Sequence, residues 1–157
     1  PLDVRTTGTG IDRLLGAWIA SQLADGPVIL ADCGTAFTLD VVDGDRRFLG
    51  GAIGAGLGLQ RQALAEACPH LDPLSRGSKD EGIPKDTASA VHAGTTSAFV
   101  AALRGLRSEF LGQDHLHATG FLTGGDAKEL HALLPEWRLE QDLVLRALQS
   151  LLFPEKG

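Results

Sequence analysis

Val28-Ile29-Leu30-Ala31-Asp32-Cys33-Gly34-Thr35-Ala36-Phe37-Thr38-Leu39-Asp40-Val41-Val42-Asp43-Gly44 decides the fold class. Val28–Ala31 is an unbroken apolar run of the kind found in a strand covered on both faces. Asp32 to Thr35 interrupts it with turn-forming residues. From Ala36 to Val42 the pattern alternates, with Phe37, Leu39 and Val41 on one side of a strand and Thr38 and Asp40 on the other. Asp43-Gly44 signals a hairpin, and the chain returns over Arg46–Ile53 as a third strand with Gly50-Gly51 near its end.

Upstream, Gly8-Thr9-Gly10 reads as a turn and Ile11–Leu23 as a helix. Its apolar residues Ile11, Leu14, Leu15, Trp18, Ile19 and Leu23 recur at helical spacing, and Asp25-Gly26-Pro27 stops it. Downstream, the spacing predicts a helix over Leu57–Ala67, a polar loop over Cys68–Lys85 and one long helix over Thr87–Phe110. A short strand at 119–123, a helix over Asp126–Leu134, a strand over Trp137–Leu139 and a final amphipathic helix over Asp142–Leu152 complete the chain. Strands first and crossover helices later imply an α/β protein with a mixed sheet and helices on both faces.

Composition narrows the function. A chain of 157 residues, 43 % hydrophobic and 22 % charged, fits one soluble domain with a real core. Net charge is -6 and the longest basic cluster is Arg46-Arg47, which argues against a nucleic-acid partner. No apolar run approaches the roughly 20 residues that span a bilayer. Pro1–Arg13 has no signal-peptide core, so the expected location is cytoplasmic and no membrane partner is expected. The chain contains no Met and opens on Pro1, so further sequence upstream is expected. Cys33 and Cys68 have no motif spacing, and His115 and His117 lack partners at zinc-ligand spacing.

Four stretches carry candidate chemistry. Ala31–Ala36 places a carboxylate, Asp32, at a strand end, followed by Gly34 and Thr35. Such a turn offers backbone N–H groups and a hydroxyl to an anion, and an acid to a cation; it also serves as a plain hairpin turn. Gly10-Ile11-Asp12-Arg13 opens a helix with an acid off its apolar face. Asp12 is either a general base beside a basic clamp, Arg13, or a dipole-favoured helix start. Leu122-Thr123-Gly124-Gly125-Asp126-Ala127 feeds a strand through a double glycine into a helix, either to let a ligand approach the backbone or as an ordinary connection. Gly50-Gly51-Ala52-Ile53-Gly54-Ala55-Gly56 is dense in glycine for close approach of a ligand or for close packing of helix on sheet.

Each stretch is ambiguous alone, but their order resembles one family. Gly-x-Asp-Arg, Asp-x-Gly-Thr-Ala-x-Thr-x-Asp-Val-Val, Gly-Gly-x-Ile-x-x-Gly-Leu, a Thr opening a long helix, and Thr-Gly-Gly-Asp-Ala are similar to the C-terminal half of type III pantothenate kinases, from Gly10 to about Leu148. The resemblance implies a ribonuclease H-like, actin-like ATPase domain. It makes 1–157 the C-terminal domain of a two-domain kinase whose N-terminal phosphate-loop domain is absent from the chain. It implies ATP-dependent phosphorylation of pantothenate to 4'-phosphopantothenate, the first step of coenzyme A biosynthesis, with Mg2+ and a monovalent cation, potassium or ammonium.

Carried over by position, the resemblance makes Asp12 the catalytic base. It makes Gly10, Ile11, Asp12, Arg13 and Thr87 the pantothenate contacts, with Arg13 free to pair with the substrate carboxylate. Asp32 becomes the monovalent-cation ligand, and Gly34, Thr35, Gly124 and Gly125 become the ATP contacts. A homodimer, or a partner subunit supplying the N-terminal domain, is implied as well. Three departures stand out. Nothing in Pro1–Thr9 resembles the family's Asp-x-Gly-Asn loop, Ala55 replaces a usual proline, and Ala67–Asp72 keeps only the leucine of the partner-facing His-Thr-Ala-x-Leu-Pro. These leave a non-catalytic accessory or regulatory relative as the competing reading. A ribonuclease H-like nuclease is disfavoured by the acidic charge and the glycine motifs.

Overall fold

The computed structural model describes residues 2–71, 82–113 and 117–153. Most of the loop expected over Cys68–Lys85 falls on residues 72–81 and, like His115, lies outside them.

A six-stranded mixed sheet has the order β1-β4-β3-β2-β5-β6. The expected meander forms its middle: β2 (Val28–Cys33), β3 (Ala36–Val42) and β4 (Arg47–Ala55) pair antiparallel. β5 (Thr119–Thr123) adds parallel to β2, and β6 (Arg138–Leu139) parallel to β5. The ladder between β3 and β4 skips Leu49, and Gly50 takes φ 109 there, a conformation L side chains rarely adopt. A strand not expected from the sequence, β1 (Asp3–Val4), pairs parallel with Arg47 and Phe48 of β4.

The pleat assigns the two faces. Ile29, Ala31, Cys33, Leu39, Val41 and Leu122 point to one side. There they meet Leu57 of α2 (Leu57–Ala67), Phe99, Val100 and Leu103 of α4 (Ala98–Leu111), and Ala127 and Leu130 of α5 (Ala127–His131). Val28, Leu30, Val42, Phe48 and Phe121 point to the other side. They meet Ala17, Ile19 and Ala20 of α1 (Ile11–Gln22) and Leu143 and Ala147 of α6 (Leu143–Leu152). Helices therefore cover both faces, as the element order predicts.

Two expectations need correction. Ile11 belongs to the apolar spacing of α1 but is 69 % exposed, because it is the first helical residue and lies beyond the part of α1 that is buried. The single helix over Thr87–Phe110 is interrupted: α3 (Thr87–His92) passes through a π turn, Ala93–Ser97, before α4. Gly94 and two β-branched threonines are weak helix formers. The wider turn carries Thr95 and Thr96 inward; the Thr95 hydroxyl donates to Val91 O (2.8 Å), and Thr96 Oγ1 accepts from Arg61 Nη2 (2.7 Å).

Candidate functional site

Residues directly opposite on neighbouring strands share a face. On the α1 face, one row across the sheet reads Ile53, Thr38, Asp32, Thr123, and the row beside it reads Gly51, Asp40, Leu30, Phe121. Rows farther along are sealed by α1 and α6. The Asp32 row lies toward the carboxyl ends of the parallel strands β2 and β5, where ligands bind in open α/β sheets.

α1 enters over this end. Gly10 is its N-cap and gives no side-chain cap; a Cβ there would fall on the carboxylate of Asp12, which folds back over the Gly10 backbone. Asp12 is exposed in the first turn. Arg13, one residue on, turns down onto the sheet. Its Nε donates to both oxygens of Asp40 at 3.0 and 3.2 Å, and its Nη2 donates to Oδ1 as well. The Asp40 side chain has no exposed surface, the Arg13 side chain keeps 13 %, and the guanidinium carbon lies 5.9 Å from the Phe48 ring centre. A charged pair this buried is a fixed structural element. The free basic clamp expected of Arg13 is thus engaged within the chain, and Asp40, not singled out from the sequence, is its anchor. The alternation of β3 already put Asp40 beside Thr38; it carried no signal that α1 would land an arginine there.

Three carboxylates, Asp12, Asp32 and Asp40, lie close enough for their charges to act on one another, and Arg13 is bonded to Asp40. Burial pushes the Asp32 carboxyl above the usual range, and the charges of Asp12 and Asp40 push it further. Burial also raises Asp40, outweighing the bonds from Arg13. The arrangement holds excess negative charge at Asp32, an environment that favours a bound cation. Among the described residues there is no compact His/Cys/Asp/Glu cluster that could hold a metal alone. Magnesium in such a site would draw most of its ligands from phosphate and water, as magnesium commonly does.

The glycines bring the remaining predicted residues to Asp32. Gly56 N donates to Thr35 O (2.9 Å), and a Cβ at Gly56 would overlap the carbonyl of Gly34, so the start of α2 presses on the Gly34–Ala36 turn. Thr35 itself is exposed. From the other side, Gly124 at φ 92 sits where a Cβ would strike the Asp32 carboxylate and the Cys33 backbone, and Asp126 N donates to Cys33 O (2.9 Å). Gly125 is exposed with nothing against it. Arg61 on α2 ties the back of this assembly together, reaching Glu129 of α5 at 2.8 Å as well as Thr96. Asp12, Asp32, Gly34, Thr35, Gly124 and Gly125 therefore belong to one end of the sheet. Thr87 opens α3 behind Asp86, whose Oδ1 accepts from Ser89 N (2.8 Å). Among the described residues no hydrogen bond ties Thr87 to the acidic group.

Comparison with known proteins agrees with this geometry. The family model for type III pantothenate kinase matches residues 3–109. The chain belongs to the type III pantothenate kinase family. It is 37 % identical to the type III pantothenate kinase of Dichelobacter nodosus over 147 residues, covering 94 % of this chain and 59 % of that protein. It is 38 % identical to that of Rhodopirellula baltica, covering 99 % and 59 %. The chain thus spans about three fifths of the length of these pantothenate kinases. A crystal structure from Campylobacter jejuni, of a protein assigned provisionally to the Baf family of transcriptional activators, superposes with a TM-score of 0.74. It is 20 % identical and covers 97 % of this chain and 67 % of its own, which shows a shared fold. The mixed sheet with helices on both faces is consistent with the actin-like domain of this kinase family. No helix among the described residues is long and apolar enough to cross a membrane.

Proposed function

We propose that the protein carrying this chain transfers the γ-phosphoryl group of ATP to the primary hydroxyl of pantothenate. The products are 4'-phosphopantothenate and ADP, the opening step of coenzyme A biosynthesis. The observation that supports this reading is the exposed Asp12 in the first turn of α1, close enough to Asp32 for its charge to act there and next in the chain to Arg13, which is fixed on Asp40. Asp12 accepts the hydroxyl proton as that oxygen bonds to the γ-phosphorus, and the bond to the β–γ bridging oxygen breaks with its electron pair going to ADP. Little covalent chemistry is left to the protein, so positioning and charge neutralisation dominate.

On this reading the Asp32–Ala36 turn, with Gly34 and Thr35, faces the phosphates, and Gly124 and Gly125 form a wall of the nucleotide site. Gly10–Arg13 and Thr87 border pantothenate. Asp32 would hold a monovalent cation, and magnesium on the phosphates would offset their charge. The domain is the C-terminal, ribonuclease H-like half of a two-domain kinase. The second phosphate-facing turn, Asp-x-Gly-Asn in the family, comes from sequence outside this chain or from a partner subunit, in a homodimer or a mixed pair. A cytoplasmic location follows from the substrates. This chain alone should then show no turnover, because half a nucleotide site leaves the phosphates in water.

The test is Asp12→Asn in the protein carrying this chain. Pantothenate turnover should fall roughly 10²–10⁴-fold, the scale for losing a general base, with ATP affinity and melting temperature retained. Unchanged turnover would make Asp12 a helix-start acid. The altered Ala67–Asp72 stretch favours a second reading, an accessory relative. That reading predicts nucleotide binding with no phosphoryl transfer in the wild type.

A further inference from the structure

Arg61 stands where α2, the π turn and α5 meet. Its Nη2 donates to Thr96 Oγ1 (2.7 Å) and to Glu129 Oε1 (2.8 Å), and its Nη1 reaches Glu129 Oε2 at 3.4 Å. The arginine side chain keeps 15 % of its surface, and Thr96 is buried. Arg61 Nε is also buried and has no partner among the described residues. An unpaired buried donor costs stability, so a guanidinium is a poor choice if the gap only needs filling. An unbranched apolar side chain would fill it without that penalty. What the guanidinium adds is a planar fork that bonds two elements at once. α2 starts at Gly56, which presses on the Gly34–Ala36 turn. α5 starts just past Gly124 and Asp126, which touch Asp32 and Cys33. Among the described residues α2 and α5 share little direct backbone contact, so the arginine spans a gap that the main chain does not close.

This inference rests on the kinase reading and goes one step past it. On that reading the nucleotide meets Gly34, Thr35, Gly124 and Gly125. Glycine contacts are backbone contacts, with no side-chain freedom to absorb a misplaced wall, so the separation of the loops has to be set from behind. We propose that Arg61 is a positioning residue for the nucleotide: bonded to Thr96 and Glu129, it braces α2 against α5 and sets the spacing of the two glycine loops that flank the Asp32–Ala36 turn. It touches neither substrate. The π turn keeps its own bond from the Thr95 hydroxyl to Val91 O, so α3, with Thr87, does not depend on the brace. Loss of Arg61 is therefore felt by ATP and not by pantothenate.

The experiment is steady-state kinetics on the protein carrying this chain, with ATP and pantothenate varied separately. Arg61→Met keeps an unbranched stem and removes the fork. It should raise KM for ATP roughly 3–30-fold, within the range for residues joined in one hydrogen-bond network, while KM for pantothenate stays within about 2-fold. Glu129→Gln changes a side chain that is 53 % exposed and should raise KM for ATP at least about 3-fold. The double variant should match Arg61→Met to within about 2-fold, because both changes remove the same bond. Arg61→Lys, which puts one ammonium where a fork reached two partners, should fall between wild type and Arg61→Met. An ATP KM within about 2-fold of wild type in Arg61→Met, equal rises in both KM values, or a double variant whose losses multiply overturns the brace and leaves the kinase reading standing. If Arg61→Met fails to fold, Glu129→Gln decides by the same criterion. Wild type that does not phosphorylate pantothenate overturns the kinase reading itself, and this proposal with it.

Discussion

Removing the guanidinium of Arg13 should destabilise the fold in a way that depends on pH. In Arg13→Ala the carboxylate of Asp40, with no exposed surface, loses the donors that face it at 3.0 and 3.2 Å. Breaking a buried ion pair by deleting one partner costs about 3–5 kcal/mol, and the lost cation contact with the Phe48 ring adds about 0.5–1 kcal/mol. Against a total stability of about 5–15 kcal/mol this is a large fraction. At about 2–4 °C per kcal/mol for a chain of this size, the melting temperature should fall by roughly 7–24 °C. The sign of the pH effect follows from Asp40. Its carboxyl is already raised by burial, with Arg13 holding it down. Without Arg13 the folded-state carboxyl rises further above its unfolded value. The folded state then binds its proton more readily, and stability is lost as pH climbs through the raised value. The gap between wild type and variant should be widest near neutral pH and narrow toward about pH 4, as Asp40 takes up a proton. Urea titrations followed by circular dichroism at about pH 4.5, 6 and 7.5 measure it. A gap below about 1 kcal/mol at neutral pH, or one of constant size across the series, would refute the claim that this pair is buried and mutually dependent.

The acidic group makes a prediction of the opposite sign. Asp32→Asn should raise the melting temperature by a few degrees at neutral pH, since burial and the charges of Asp12 and Asp40 disfavour its carboxylate. That gain should vanish on acidification below the carboxylate range, and a melting temperature that drops at neutral pH would contradict it. Two glycines at the start of α2 should behave differently. Gly56→Ala drives a Cβ into the Gly34 carbonyl and should cost about 1–3 kcal/mol, whereas Gly58→Ala meets nothing and should gain up to about 1 kcal/mol. Denaturant midpoints that move together would undo the argument from close approach. Cys33 is fully buried and its thiol is pushed up to about 12, so mass spectrometry of the native protein after iodoacetamide should find the label on half-buried Cys68. Comparable labelling of Cys33 in the folded state would refute it.

The meander was legible because β2 and β3 announce themselves by different patterns: an unbroken apolar run for the doubly covered strand, alternation for its neighbour. The turn between them and the double glycine at 124–125 stood out as candidate sites, but each also read as an ordinary connection, and only their order along the chain pointed to one family. β1 was not legible, because two residues held by backbone bonds to β4 leave no side-chain pattern. The π turn was hidden by helical spacing on both sides; what makes it is the inward fit of Thr95 and Thr96, a tertiary fact. The partnership of Arg13 with Asp40 joins residues 27 positions apart and was invisible from either end. So was the exposure of Ile11, whose spacing belongs to the apolar stripe while its position lies past the end of it.

The division between Asp12 and Arg13 has an evolutionary side. The residue bolted to the sheet and the exposed acid proposed as the base are adjacent in the chain, yet a substitution at each would be felt for a different reason. A change at position 13 or 40 threatens the fold whatever the protein is used for. If Asp12 is the base proposed above, a change at position 12 would leave the fold intact, so one codon could silence the reaction while the folded surface persists for other uses.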